Sequence, residues 1–149
     1  MTGPVFVDTN VLVYARDLAE PAKQARAEAW MRRLWREDAG RVSWQVLNEF
    51  YVTATCKLSS CLSREEARAD VQDLAAWHPL PVDGSVVHAA WRLQDVYSLS
   101  WWDSLIVAAA QVGGCAYLLS EDMQTGRKYG EVEVVNPFAR TPESVFSLR

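Results

Sequence analysis

The feature that most constrains the fold is the alternation of short β-branched runs with longer helical stretches. The run Val5-Phe6-Val7 stops at a turn-forming trio, and apolar residues then recur at helical spacing from Ala22 to Glu37. Further short runs at 42–44, 115–119 and 132–135 are separated by helical segments. Strands that alternate with helices form parallel sheets covered on both faces, so the sequence predicts a parallel α/β sandwich.

Composition limits the classes of protein to which the chain can belong. It has 149 residues, 50% of them hydrophobic, and no linker-like segment, which predicts a single domain over residues 1–149. The net charge of −4 argues against a purely electrostatic nucleic-acid binder. No apolar run approaches the roughly 20 residues that span a bilayer, so we expect no membrane association. Cys56, Cys61 and Cys115 lack metal-ligand spacing and are expected to be reduced thiols of a cytoplasmic protein.

Capping signals predict where the helices begin and end. Gly40 is expected to end the helix that begins at Ala22. Ser63 and Glu66 form a capping-box pattern that opens a helix running to about Trp77. Residues 120–130 are predicted to be a polar loop.

Four acidic residues stand where a parallel sheet places its ligands. Asp8 follows the first strand directly, and Asp122 follows the strand at 115–119. Asp103 lies in the first turn of a helix, and Glu49 lies in a helix that follows a strand. Ligands of open parallel sheets bind beyond the carboxyl ends of the strands. Two carboxylates about 4 Å apart repel by roughly 4 kcal/mol, so a shared pocket requires a cation, and all-oxygen ligands favour Mg²⁺ or Mn²⁺.

Each acid also has a purely structural interpretation. Asp8 is able to cap the following helix, and Asp103 completes a capping pattern with Ser100. Asp122 has the setting of an ordinary turn acid. Glu49 has no Lys or Arg three or four residues away and lies on a largely apolar helical face, so it needs a partner from elsewhere in the chain. That partner is either a metal ion or a distant arginine.

Four segments, taken in order, resemble the motifs of the PIN-domain nucleases. They are VFVDTNVLVY at 5–14, NEFY at 48–51, LSWWDSLI at 99–106 and LSEDM at 119–123. The closing VVNPF at 134–138 is similar to the VapC-type toxins of bacterial toxin–antitoxin pairs. The resemblance extends over almost the whole chain and implies a three-layer α/β/α sandwich with a short parallel central sheet.

The resemblance also implies an activity and a set of residues that perform it. It implies a Mg²⁺-dependent endoribonuclease, with Mn²⁺ able to substitute, that hydrolyses RNA phosphodiester bonds. Catalysis and metal binding fall to Asp8, Glu49, Asp103 and Asp122, through one ion or two. Thr9, Asn10 and Ser120 match the polar residues that support the acids. The expected partners are RNA (tRNA or another structured RNA), a cognate antitoxin and a second copy of the chain.

Basic and aromatic residues near these motifs are candidate RNA contacts. Arg16 follows the first motif, and Arg127 and Lys128 follow Asp122, so all three are expected to reach phosphates. Apart from the four acids, 15 acidic residues match 15 basic ones, so the remaining surface is not repulsive overall. Of the neighbours Trp101 and Trp102, either is a candidate to stack on a base, and we expect at least one to pack in the core.

Other functions and surfaces fit the same residues. The fold is also compatible with a non-catalytic PIN-like RNA-binding module, or with a nuclease that acts in RNA processing or on DNA. An aspartate-nucleophile phosphatase usually has a second acid two residues after the nucleophile, whereas this chain has Asn10. Trp30, Leu34 and Trp35 belong either to a partner interface or to the core.

Overall fold

Short apolar runs form the centre of the protein, whose computed structural model describes residues 3–146. The residues of the first strand are all buried, as expected for a central strand covered on both faces. The strands are β1 (Val5–Val7), β2 (Gly40–Arg41), β3 (Tyr117–Leu119), β4 (Lys128–Tyr129) and β5 (Val132–Val135). Their order in the sheet is β2-β1-β3-β5-β4, and every pair is parallel except β4 with β5.

Helices flank this sheet and complete the predicted α/β/α sandwich. They are α1 (Thr9–Tyr14), α2 (Pro21–Glu37), α3 (Trp44–Cys56), α4 (Arg64–Leu74), α5 (Gly84–Tyr97), α6 (Trp101–Val112) and α7 (Pro142–Phe146). The most deeply buried helix is α6, in which every residue from 104 to 110 is buried. Its alanines have small side chains, which allow close approach of the sheet and α5.

Side-chain caps fix several helix starts where the sequence predicts them. Ser63 accepts a hydrogen bond from the backbone N–H of Glu66 at 3.0 Å, and the Glu66 carboxylate accepts one from the N–H of Ser63 at 3.1 Å. This capping box opens α4, which ends at Leu74 and continues as a 3₁₀ turn to Trp77. Ser100 caps α6 through the N–H of Asp103 at 3.2 Å.

The prediction that Gly40 ends the second helix is wrong. The α2 helix ends at Glu37, and Asp38 takes the left-handed conformation with φ of 51°. Gly40 lies in β2, against the buried ring of Trp77, where an added Cβ would be only 2.2 Å from a ring carbon. The second strand therefore lies at 40–41 rather than 42–44, because Ser43 caps α3.

Two elements escape the sequence prediction because they are very short. The predicted loop at 120–130 contains all of β4, which pairs antiparallel with β5. The α7 helix has five residues, and its Phe146 packs against Trp30 with ring centroids 5.9 Å apart. Neither has the apolar periodicity of a longer element, so tertiary contacts decide its conformation.

The core includes most of the residues proposed for a partner interface. Trp30 and Leu34 are buried, whereas Trp35 is 40% exposed and packs against Trp77 with ring centroids 4.6 Å apart. All three cysteines are free thiols. In residues 3–146, no helix is both long and apolar enough to cross a membrane.

The close contact at Gly40 gives a testable consequence. We expect Gly40→Ala to lower the free energy of unfolding by about 1–3 kcal/mol, because the methyl group must displace the buried Trp77 ring. Gly84→Ala is the control, since a Cβ there meets no atom within 4 Å at the first position of α5. Its stability should be unchanged or higher by up to about 1 kcal/mol. Equal urea midpoints for Gly40→Ala and the wild type would contradict this packing.

Candidate active site

Adjacent parallel strands bring two segments of the site together. Val7 pairs with Leu119 across β1 and β3, so the residues that follow the two strands are neighbours. The backbone N–H of Asp8 donates to the carbonyl oxygen of Leu119 at 3.0 Å. The side chains of Asp8 and Ser120 therefore meet at the carboxyl edge of the sheet, where parallel sheets bind ligands.

Asp8 is buried and held by three donors. Its Oδ1 accepts the backbone N–H of Thr9 at 2.7 Å, which caps α1. Its Oδ2 accepts the hydroxyl of Ser120 at 2.8 Å and the amide of Asn10 at 3.3 Å. Asp8 is thus both a helix cap and a member of the acidic cluster, so its two sequence interpretations are compatible.

Burial raises the pKa of Asp8 from 3.8 to about 6, because desolvation penalises the charged carboxylate. The hydrogen bonds from Ser120 and Thr9 lower the pKa, and the negative charges of Asp122 and Glu49 raise it further. The pKa stays raised overall, so these hydrogen bonds do not fully stabilise the negative charge of the Asp8 carboxylate.

Asn10 connects the two strand ends through its amide. Its Nδ2 lies 3.1 Å from Asp122 Oδ2 and 3.3 Å from Asp8 Oδ2, so one amide group lies between two acids. Its Oδ1 accepts the backbone N–H of Glu121 at 3.2 Å. The Ser120 hydroxyl oxygen also accepts the N–H of Asp122 at 3.2 Å. These contacts fix the turn that carries Asp122.

Glu49 differs from the expectation of a carboxylate on a largely apolar face whose partner is a metal ion or a distant arginine. It is exposed on α3, and its Oε1 accepts the Thr9 hydroxyl at 3.2 Å and the Gln45 amide at 3.4 Å. None of the ion pairs found in residues 3–146 involves Glu49. Gln45 lies one helical turn before Glu49 and is an uncharged partner, which the absence of a nearby Lys or Arg does not reveal.

All four acids line one cleft with a volume of about 670 Å³. Asp103 reaches it from the first turn of α6, where Ser100 caps its backbone N–H. The remaining lining residues come mainly from α1 and α3: Thr9, Asn10, Val13, Tyr14, Asp17, Gln45, Asn48, Val52, Thr53, Lys57, Trp102 and Ile106.

The basic residues proposed as phosphate contacts lie outside this cleft. Arg16 faces another cavity and pairs with Asp70 at 2.8 Å. The guanidinium of Arg127 lies over the Tyr97 and Tyr129 rings, at 5.6 and 5.4 Å from their centroids. Lys128 is exposed on β4, which is an edge strand of the sheet.

Lys57 is the basic residue that lines the cleft, and the sequence analysis missed it. It is the exposed C-cap of α3, eight residues after Glu49. Its position in the cleft is indicated by the sequence through a four-residue spacing, because residues at this spacing lie along one side of a helix. The residues at this spacing are Gln45, Glu49, Thr53 and Lys57.

The chemistry of this cleft fits a hard divalent cation. Its acids offer only oxygen ligands, and Asp8 has a raised pKa because it is desolvated near like charges. In residues 3–146, no group of three or more His, Cys, Asp or Glu side chains is arranged to hold an ion. Glu49 is instead bound to Thr9 and Gln45, and Asp122 is bound to Asn10, so holding an ion requires side-chain rotation. Asp122 and Glu49 are exposed and have room to rotate.

The raised pKa of Asp8 predicts how stability depends on pH in metal-free buffer. The native state binds the proton more tightly than the unfolded chain, so this contribution is complete below pH 3.8 and is lost as pH rises through about 6. The loss is about 3 kcal/mol. Asp8→Asn should therefore become more stable relative to the wild type between pH 4 and pH 7, as measured by urea unfolding.

Asp83→Asn provides a control with the opposite sign. Hydrogen bonds from Ser85 and Val86 lower the pKa of Asp83, so its carboxylate stabilises the fold above the unfolded-state pKa. Asp83→Asn should lose stability relative to the wild type as pH rises to about 3.8, with little further change up to pH 7. If Asp8→Asn, like Asp83→Asn, gains no stability relative to the wild type between pH 4 and pH 7, Asp8 is not desolvated as described.

Comparisons with known proteins agree with this architecture. A chain of a toxin–antitoxin complex from Klebsiella pneumoniae superimposes with a TM-score of 0.61 at 19% identity, covering 89% of this chain and 97% of that one. VapC20 of Mycobacterium tuberculosis, described as a Sarcin-Ricin loop cleaving toxin, gives 0.54 at 18% identity, covering 79% and 89%. No curated protein matches the sequence. A family model described as PIN domain matches residues 5–130, and the chain therefore belongs to the PIN domain family.

Proposed function

We propose that this protein is a metal-dependent endoribonuclease and the toxin of a toxin–antitoxin pair. The observation that carries the proposal is the convergence of four carboxylates on one cleft, with the carboxylate of Asp8 desolvated among them. A cluster of this kind lowers stability unless a cation binds to it, and such a cost is typical of functional sites. Membership of the PIN domain family supports the same conclusion.

In this proposal, Asp8, Asp103 and Asp122 hold a Mg²⁺ ion, for which Mn²⁺ substitutes. The bound ion supplies a water of lowered pKa and offsets the charge that develops on the phosphate. Ser120 and the N–H of Thr9 keep the Asp8 carboxylate in one orientation. These donors reduce the reorganisation needed when substrate binds.

Glu49 and Asn10 have separate tasks in the proposed reaction. Glu49 is exposed at the α3 side of the cleft, where its carboxylate orients the attacking water or binds a second ion. Asn10 holds the turn that carries Asp122 through the N–H of Glu121. The side chain of Asn10 also lies where an aspartate phosphatase would have its second acid, which disfavours that chemistry.

The substrate and partners are proposed from similarity. One structural neighbour belongs to a toxin–antitoxin complex, and the other is described as cleaving the Sarcin-Ricin loop. We therefore propose RNA as the substrate (tRNA or another structured RNA), a cognate antitoxin as partner, a homodimer as the assembly and the cytoplasm as the location. The alternatives are a non-catalytic RNA-binding module and a PIN-like nuclease that acts in RNA processing or on DNA.

A cleavage assay separates these functions. The wild type should cleave RNA in Mg²⁺ or Mn²⁺ and not in EDTA. Asp103→Asn should reduce the rate by more than about a hundredfold, because it removes a direct metal ligand. Asp95→Asn, an exposed change on α5 outside the cleft, is the matched control and should cleave at the wild-type rate. Cleavage that persists in EDTA would contradict the proposal, as would RNA binding without cleavage.

Melting curves test metal binding independently of catalysis. Millimolar Mg²⁺ or Mn²⁺ should raise the Tm of the wild type. At a metal concentration a hundred times Kd, the free energy of unfolding should increase by about 2.7 kcal/mol. Asp103→Asn should show a much smaller shift. If metal moves neither melting curve, the four acids do not form a metal site.

Lys57 is the proposed phosphate contact within the cleft, and Arg127 and Lys128 are proposed as outer contacts. Lys57→Ala should weaken RNA binding several-fold. It should also reduce the slope of log K against log salt concentration by about 0.7, which is the contribution of one phosphate contact on a single strand. The double variant Arg127→Ala/Lys128→Ala should lose less affinity, because neither side chain lines the cleft. A larger loss in the double variant would contradict this assignment.

A further inference from the structure

Trp102 is an exposed aromatic residue inside the acidic cleft. Four tryptophans have substantial exposure, namely Trp35, Trp44, Trp91 and Trp102. Trp102 is the most exposed of these at 64%, and of the four it alone lines the cleft. An indole at such a position keeps apolar surface in water, which favours a ligand that covers it.

The fold has no evident need for this side chain. Trp101, its neighbour on α6, packs against the core, whereas Trp102 lies outside the core cluster. Trp35 stacks on Trp77, and Trp91 lies 5.1 Å from the His88 ring. Among the ring contacts found in residues 3–146, none involves Trp102. With 64% of Trp102 exposed, much of its ring is available to a ligand.

The lining of the cleft has two chemically different parts. The acids form a negatively charged part, and Val13, Val52 and Ile106 form an apolar part together with Trp102. Val52 is 50% exposed on α3, and Trp102 belongs to α6. A ligand that fits both parts has a phosphate for a cation held by the acids and a flat apolar group for the indole. Asp103 directly follows Trp102, so one helical turn presents both parts.

We propose that Trp102 is a stacking platform for an unpaired nucleobase next to the phosphate that is cleaved. This inference rests on the proposed nuclease function and adds to it a residue that contacts an unstacked base. A base within a duplex has both faces covered by its neighbours, so it cannot lie on the indole. Stacking on an aromatic ring tolerates every base, because each has a π-face.

The test compares the affinity of the protein for a single-stranded RNA of about 12 nucleotides with its affinity for the same ribose-phosphate chain without bases. Fluorescence anisotropy in EDTA, where cleavage is blocked, should show that wild type binds the RNA about tenfold more tightly than the abasic chain. Trp102→Ala should bind the RNA about tenfold less tightly than wild type and hardly distinguish the two chains. Trp102→Phe should keep most of the difference, and Trp91→Ala, the matched exposed tryptophan outside the cleft, should behave as wild type.

Cleavage kinetics in Mg²⁺ provide the second readout. Trp102→Ala should raise KM about tenfold and change kcat much less, with its melting curve unchanged because the side chain lies outside the core. Equal RNA affinities of wild type and Trp102→Ala would overturn the proposal and indicate that the indole serves another ligand, such as a protein partner. If wild type cleaves no RNA with any divalent metal, the nuclease function fails, and the anisotropy comparison still decides whether Trp102 contacts bases.

Discussion

The desolvated carboxylate of Asp8 is the constraint on which the rest of the site depends. Asp8, at the end of the interior strand β1, loses hydration, and its pKa rises to about 6 as a result. The fold compensates in part with three donors, which are Thr9, Asn10 and Ser120. These groups come from the ends of β1 and β3, so the register of two parallel strands determines the geometry of the anion. The negative charge that these donors leave unbalanced favours the binding of a cation.

Secondary structure and chemistry use the same groups in this protein. Asp8 caps α1 while it faces the cleft, and Ser100 caps α6 at the turn that presents Asp103. A capped first turn has little freedom, so a carboxylate within it is positioned before any ligand arrives. The acids farther from these caps, Asp122 and Glu49, are exposed and are the ones able to adjust. The site thus combines two acids held at capped helix starts, Asp8 and Asp103, with two exposed acids whose side chains are able to move.

The sequence predicted the fold class and the carboxyl ends of β1, β3 and β5 because apolar runs and caps act locally. Three features depended on tertiary contacts and were missed. Gly40 is required by the ring of Trp77 rather than by a helix end. Arg16 pairs with Asp70, 54 residues later, which no local spacing indicates. Lys57 lines the cleft through its place on the α3 stripe, a pattern visible only once Glu49 is known to face the cleft.

The central claim is that Asp8 is a desolvated anion that a divalent cation stabilises. A carbon-13 NMR titration of the Asp8 carboxyl group in EDTA and in Mg²⁺ tests it most directly. We expect a pKa of about 6 in EDTA and a value well below 3.8 when Mg²⁺ is bound. A pKa near 3.8 in EDTA would contradict the desolvation of Asp8. A pKa near 6 in both buffers would show that Asp8 does not hold the ion.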